Sequence, residues 1–123
     1  MEKIFSQLYS YLHSASYKND DPLKSYLFST KQNVILIFFI ISQNNKQATL
    51  EEICYNISPK VISRSTIQNI LKEGVRINFF KKEISEQDKR SKNYTLTSEA
   101  IELMEEWAHR QNEVFSTLNK INK

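Results

Sequence analysis

Neither glycine nor proline interrupts the chain between Ser98 and Ile121, so this segment is predicted to form one continuous helix. Its apolar side chains recur at steps of three and four residues, as in the seam of a coiled coil. Such a helix would be about 35 Å long. A body of 123 residues is too small to cover the whole apolar face, so a partner chain is the simplest cover.

Helix breakers are rare in the rest of the chain too, since glycine occurs once and proline twice. An apolar stripe predicts an amphipathic helix from Glu2 to about Tyr17, followed by a short helical piece over residues 23–28. Eight consecutive apolar residues, Val34 to Ile41, predict a buried helix behind a Ser29 or Thr30 cap. A buried strand is the alternative for so short a run. The fold is therefore expected to be mainly α.

The middle of the chain carries the signals of two short helices joined by a turn. Thr49 and Glu52 have the spacing of a capping box, which predicts a helix over residues 50–57 after a polar loop at 43–47. Ser58-Pro59-Lys60 breaks that helix. A second helix is predicted over residues 63–77, with Ser63 or Ser65 as its cap.

A two-stranded hairpin is predicted after the second of these helices. Residues 79–84 and 94–97 are rich in β-forming side chains, and the polar, charged residues 85–93 between them suit a hairpin tip. Two helices joined by a turn and followed by a hairpin form a winged helix-turn-helix. The predicted fold is thus mainly α with a small β-hairpin wing.

Basic residues are concentrated in this winged part of the chain. Between Lys60 and Lys92 there are nine basic and four acidic residues, a net charge of +5, whereas the whole chain carries +3. The remainder is therefore slightly acidic. A basic surplus confined to one contiguous third of the chain is expected where that third faces a polyanion.

Several function classes are disfavoured by what the sequence lacks. Cys54 is the only cysteine, and His13 and His109 lie far apart, so neither a disulfide framework nor a metal-ligand cluster is expected. No nucleophile–base pair or phosphate-binding loop is visible, which predicts a protein that is not an enzyme and uses no cofactor. With no membrane span and no secretion signal, a cytoplasmic location and no membrane partner are expected.

Three segments resemble the MarR family of transcriptional regulators. Asp88-Lys89-Arg90-Ser91-Lys92-Asn93-Tyr94-Thr95-Leu96-Thr97 is similar to the wing of that family. Residues 30–36 resemble the start of its second helix, and Ser65-Thr66-Ile67 resembles the entry to its recognition helix. The resemblance covers nearly the whole chain.

Two positions depart from the family pattern. Counting back from Asp88, the glycine that usually follows the recognition helix falls on Asn78, the next-best residue for a left-handed cap. The alternative is that the helix ends at Gly74. Ala100 stands where a glycine is common after the wing.

The resemblance implies that helix 63–77 lies in the major groove of double-stranded DNA and that wing 85–93 reaches the neighbouring minor groove. Base contacts are expected from Arg64, Ser65, Gln68 and Asn69. Asp88 is expected to pair with a basic residue and hold the shape of the wing. The full set of predicted DNA-binding residues is Lys60, Ser63, Arg64, Ser65, Thr66, Gln68, Asn69, Lys72, Lys89, Arg90, Ser91 and Lys92.

Segments 1–28 and 98–123 are predicted to be dimerisation helices around a DNA-binding winged helix at 30–97. A homodimer would present two recognition helices to a pseudo-palindromic site, and the resemblance implies a repressor. The alternative is a dimeric winged-helix adaptor that binds protein and no specific DNA. The predicted interface residues are Ile4, Leu8, Leu12, Trp107, Gln111, Val114, Phe115 and Leu118.

The resemblance also implies a small aromatic effector that lowers DNA affinity from a cleft beside the dimer interface. Tyr9, Tyr17, Tyr26 and Phe28 are the candidates to line such a cleft. Ordinary core packing is the competing interpretation for all four side chains.

Overall fold

A computed structural model describes residues 1–16, 21–84 and 90–121; beyond Glu113 it describes the side chains of Phe115 and Ser116. Six α-helices and three β-strands are found in these ranges, with one short 3-10 turn at Asn44–Lys46. Their bounds are α1 (Glu2–Ala15), α2 (Pro22–Leu27), α3 (Lys31–Ile41), β1 (Gln47–Thr49), α4 (Leu50–Asn56), α5 (Arg64–Arg76), β2 (Phe80–Ile84), β3 (Lys92–Leu96) and α6 (Ser98–Ile121). The expected mainly α fold with a small hairpin is confirmed.

Polar side chains fix where the central helices begin. The Thr30 side chain accepts a hydrogen bond from the backbone N–H of Asn33 at 3.0 Å, so residues 34–41 are helical and the strand alternative is wrong. Thr49 and Glu52 make both bonds of the capping box at the start of α4. Ser63 caps α5 through the N–H of Thr66. Each cap satisfies backbone donors that a helix start leaves unpaired.

The core is centred on α3, whose Leu36, Ile37 and Ile40 are fully buried. Leu71 of α5 and the adjacent Phe79 and Phe80 are buried in the same core. Because α3 is apolar on nearly every face, α2, α4 and the sheet can pack around it.

The hairpin belongs to a three-stranded antiparallel sheet in the order β1-β3-β2. The sequence predicts a loop over residues 43–47, but Gln47 is the first residue of β1 and pairs with Thr95. The returning strand also begins earlier than expected, since Lys92 pairs with Ile84 across the hairpin. The polar residues at the start of β3 can form a strand because β3 makes ladder hydrogen bonds with a strand on each side.

Asn78 ends α5 in the predicted left-handed conformation, with φ of 69°. The N–H of Phe79 bonds the carbonyl of Gly74 at 2.8 Å, and the N–H of Asn78 bonds the carbonyl of Val75 at 3.2 Å. These two bonds form a Schellman motif. Gly74 therefore lies inside the helix, and the alternative that it ends the helix is wrong.

Gly74 is buried because two aromatic side chains press against its backbone. A Cβ atom at this position would lie 2.5 Å from Cδ2 of Phe80 and 2.5 Å from the phenol oxygen of Tyr26. Tyr26 donates its hydroxyl hydrogen to the carbonyl of Ile70 at 2.6 Å. The missing side chain lets α2 and the sheet approach α5 closely.

The long helix α6 packs against the body through its first half. The Trp107 ring lies beside Phe28 and Phe38, with centroids 6.1 and 5.6 Å away. Ala100 and Met104 are buried in the core. Over the described residues, α6 and the other helices are either too short or too polar to cross a bilayer.

Candidate nucleic-acid interface

Helix α5 has one buried face and one polar face. Ile67, Ile70, Leu71 and Gly74 are buried. Because residues three and four apart share a side of a helix, the predicted DNA contacts fall together on the opposite, exposed side: Arg64, Ser65, Gln68, Asn69 and Lys72. The structure thus gathers the five side chains onto one surface.

The start of α5 is held by the hydroxyl groups of two residues in the predicted DNA-binding set, Ser63 and Thr66. The Ser63 hydroxyl accepts from the Thr66 N–H at 3.3 Å and lies 2.9 Å from the Thr66 hydroxyl, to which it donates. Ser63 therefore serves first as the helix cap. Thr66 keeps its own hydroxyl hydrogen for a further acceptor.

The turn between α4 and α5 is tied to the body by a residue outside the predicted site. The side-chain amide of Gln32, on α3, donates to the carbonyl of Val61 at 3.0 Å. Lys60 is exposed in the same turn. Nothing in the local pattern around Gln32 predicts this bond, since the two residues are 29 positions apart.

Arg64 is paired with Glu51, a residue that the sequence did not single out. Its two terminal nitrogens donate to the two carboxylate oxygens at 3.3 and 2.7 Å. The hydrogen bond first, and the opposite charge second, lower the pKa of Glu51 and raise the pKa of Arg64. The predicted base-reading arginine is thus held by a carboxylate at the start of α4.

The described part of the wing adds cations on both hairpin strands. Arg90 and Lys92 are exposed, and Ser91 is half-buried. Together with Lys82 and Tyr94 they line a cleft of about 210 Å³ against the first turn of α4. Lys82 and Tyr94 were not predicted, because their strand positions alone do not show which side of the hairpin they occupy. Lys89 and Asp88 fall outside the described residues.

The predicted dimerisation residues do not share one environment. Leu12 and Phe115 are 47% and 48% exposed, and Leu8 and Gln111 are half-buried. Ile4 is buried within its own chain, and Trp107 packs on Phe28 and Phe38 as described above, so the burial of these two needs no partner. Val114 and Leu118 have side chains outside the described set. The interface stays a prediction.

The candidate effector residues are also dispersed. Tyr26 is buried in the core and Phe28 packs against it, as the competing interpretation expected, whereas Tyr9 is 66% exposed. Tyr17 falls outside the described residues. Two open cavities do exist: one of about 440 Å³ along α1 and α6, and one of about 510 Å³ between α2 and the end of α5. Among the described residues, no group of acidic, histidine or cysteine side chains could hold a metal ion.

The chain was compared with family models, curated proteins and solved structures. No family model matches the sequence, and no curated protein matches it. Solved structures do match. AbsC, a MarR family transcriptional regulator from Streptomyces coelicolor, is 14% identical with a TM-score of 0.54, covering 92% of this chain and 74% of that one. MepR from Staphylococcus aureus, solved with DNA, is 20% identical with a TM-score of 0.55, covering 96% and 87%. NadR, solved with 4-hydroxyphenylacetate, is 16% identical with a TM-score of 0.56, covering 95% and 79%.

Helices α4 and α5, the sheet and the hairpin define a winged helix-turn-helix. Together with the flanking α1 and α6, they give this chain the winged-helix fold of the MarR family transcriptional regulators.

Proposed function

We propose that this protein is a sequence-specific DNA-binding transcriptional regulator that acts as a homodimeric repressor. The observation that carries the proposal is the polar face of α5, where Arg64, Gln68 and Asn69 project together from a helix anchored by its opposite face. Arginine can bond a guanine edge twice, and glutamine and asparagine can do the same for adenine.

The wing and the turn supply contacts that do not read sequence. Lys60 in the turn and Lys72 on α5 are exposed cations flanking the polar face, suited to phosphate oxygens. Arg90 and Lys92 extend the cationic surface along the hairpin, with Arg90 assigned to the minor groove. Ser91 and Lys89 complete the proposed wing contacts.

The homodimer is proposed through α1 and α6. The apolar side chains of Phe5 and Leu12 on α1 and of Phe115 on α6 are about half exposed or more, and the two helices contact each other. A second copy would cover them and place two α5 helices on a pseudo-palindromic site. Leu12→Glu and Phe115→Glu should shift the sedimentation mass toward the monomer, while an unchanged mass would contradict this interface.

The proposal extends to a small aromatic effector. Its expected place is a cleft beside the dimer interface, but we assign it to the cavity between α2 and the end of α5, whose lining includes the candidate residue Tyr26. The cavity volume of about 510 Å³ lies within the range of small-molecule sites. Arg76 at its rim pairs with Glu73, so a ligand carboxylate would have to share or replace that partner. NadR was solved with such a molecule, 4-hydroxyphenylacetate. Adding that compound should raise the melting temperature and weaken DNA binding; no response in either would exclude it as a ligand.

A salt titration of binding to random duplex DNA tests the DNA-binding proposal. Wild type should bind at low salt and weaken steeply as salt rises, because cations on the surface displace counterions from the phosphates. Arg64→Ala and Arg90→Ala should each weaken binding to a selected duplex. Arg110→Ala is the matched control, since this exposed arginine lies on α6 and pairs with Glu106.

Failure of wild type to bind at low salt would reject the DNA interface. If Arg110→Ala loses as much affinity for DNA as Arg90→Ala does, the DNA interface does not lie on α5 and the hairpin as proposed. The first result would favour the alternative function, an adaptor that binds protein through the same winged helix, and so would a DNA affinity that neither Arg64→Ala nor Arg90→Ala changes.

A further inference from the structure

We propose that Glu51 is a specificity-determining positioning residue, which holds the Arg64 guanidinium so that it reads a base edge without acting as a general phosphate contact. This inference rests on the proposed function, because it assigns a role within the same DNA surface.

The geometry of the pair leaves part of the guanidinium available. Arginine has five N–H groups in a planar fork. Glu51 receives one hydrogen bond from each terminal nitrogen, which occupies the end of the fork. The side edge, with Nε and one terminal nitrogen, retains two parallel donors, and guanine O6 and N7 accept such a pair.

The charge of the pair sets its response to salt. Binding to DNA becomes salt-dependent when a protein cation neutralises a phosphate and releases counterions. Arg64 is already neutralised by Glu51 at hydrogen-bonding distance. The pair should therefore contribute little to attraction for an arbitrary duplex, while its base contact still contributes to the correct sequence. Glu51 thereby lowers non-specific affinity without removing the base reader.

A purely structural role for Glu51 is the competing explanation. It lies in the first turn of α4, where an acidic side chain interacts favourably with the helix dipole. The neighbouring Glu52, however, is the residue that completes the capping box with Thr49. A structural role would change the melting temperature and leave the salt dependence of DNA binding unaltered.

The experiment measures the slope of log affinity against log salt for random duplex DNA. Four proteins are compared: wild type, Glu51→Gln, Arg64→Ala and the double variant. Glu51→Gln is isosteric and frees the Arg64 charge, so the slope should steepen by about 0.9. At 0.1 M salt, affinity for random duplex should rise about eightfold by the same relation.

The effect of Arg64→Ala should depend on Glu51. In the wild-type background it should lower the salt slope by much less than a full contact, because the paired Arg64 neutralises no phosphate and only the repulsion of the remaining Glu51 carboxylate is added. In the Glu51→Gln background, Arg64→Ala should remove the extra salt slope of about 0.9 that Glu51→Gln alone produces. Glu73→Gln is the matched control: it changes the net charge equally and breaks the Glu73–Arg76 pair at the far end of α5, so its slope should stay close to wild type.

Specificity is the second readout. With a duplex selected from a random pool by the wild-type protein, Glu51→Gln should reduce the ratio of specific to random affinity several-fold. Salt slopes that are identical for wild type and Glu51→Gln would overturn the inference and leave the proposed function standing. So would Arg64→Ala lowering the wild-type slope by a full contact. If wild type binds no duplex at low salt, the proposed function and this inference fall together.

Discussion

Replacing Gly74 by alanine should destabilise the protein, although alanine is the better helix former. A new Cβ would meet the Phe80 ring and the Tyr26 hydroxyl at 2.5 Å, well inside ordinary van der Waals contact. Neither neighbour can retreat easily, since both are buried in the core cluster. The close approach of α2 and the sheet to α5 depends on the missing side chain.

The expected loss can be estimated from three contributions. Overpacking a filled core lowers stability by about 1–3 kcal/mol. Moving the Tyr26 hydroxyl away from the carbonyl of Ile70, which it reaches at 2.6 Å, leaves a buried polar group unpaired at about 1–3 kcal/mol. Alanine returns about 1 kcal/mol of helix propensity. The net effect should be a loss near 3 kcal/mol, or roughly 12 °C in melting temperature.

Urea unfolding followed by circular dichroism measures this difference. Asn69→Ala is the control, because it introduces the same side chain at an exposed position of the same helix. Gly74→Ala combined with Tyr26→Phe removes one of the two close contacts, so the alanine should be less damaging in that background. If Gly74→Ala is as stable as wild type, the packing argument is refuted.

Three further predictions concern stability. Asn78→Ala should lower the free energy of unfolding by about 1 kcal/mol, because alanine tolerates a φ of 69° less well than asparagine; Asn78→Gly should restore it in the same urea assay. Thr49→Ala removes the side-chain half of the capping box and should lower the free energy of unfolding by about 1 kcal/mol, whereas Thr49→Ser should not. Burial, and then the charges of Glu106 and Asp21, raise the pKa of Tyr11 from 10.0 to about 12. The folded state therefore holds the Tyr11 proton more tightly than the unfolded state does. The resulting contribution to the free energy of unfolding is complete below pH 10 and is lost as the pH approaches 12. Melting curves at rising pH measure this loss, and Tyr11→Phe should abolish it.

Sequence reasoning located the elements whose signals are local. The Thr49–Glu52 box depends on residues within a turn of one another, so spacing alone identifies it. Local residue types also narrowed the cap of α3 to Ser29 or Thr30. The left-handed Asn78 was predicted from the resemblance to the MarR family, whose usual glycine falls at this position. The exposed face of α5 followed from helical periodicity. These features locate the helix-turn-helix within the sequence.

Long-range pairings could not be predicted in the same way. Glu51 meets Arg64 across 13 positions, and only the angle between α4 and α5 decides that contact. Gln47 becomes a strand residue because Thr95 lies beside it, not because its own segment favours β structure. Lys82 shares a cleft with Arg90 only once the hairpin register is set.

Thr49 belongs to two elements, because it is both the last residue of β1 and the N-cap of α4. Its strand partner, β3, also carries the inner side of the wing at Lys92. In the proposed complex, the spacing between wing and helix-turn-helix is therefore preorganised, and little conformational entropy is lost in setting it on binding. The protein would act as a stiff template, and a duplex whose grooves do not match that spacing would have to bend to meet it. Selection among sites would then depend on how easily each sequence deforms, even at base pairs that no side chain touches.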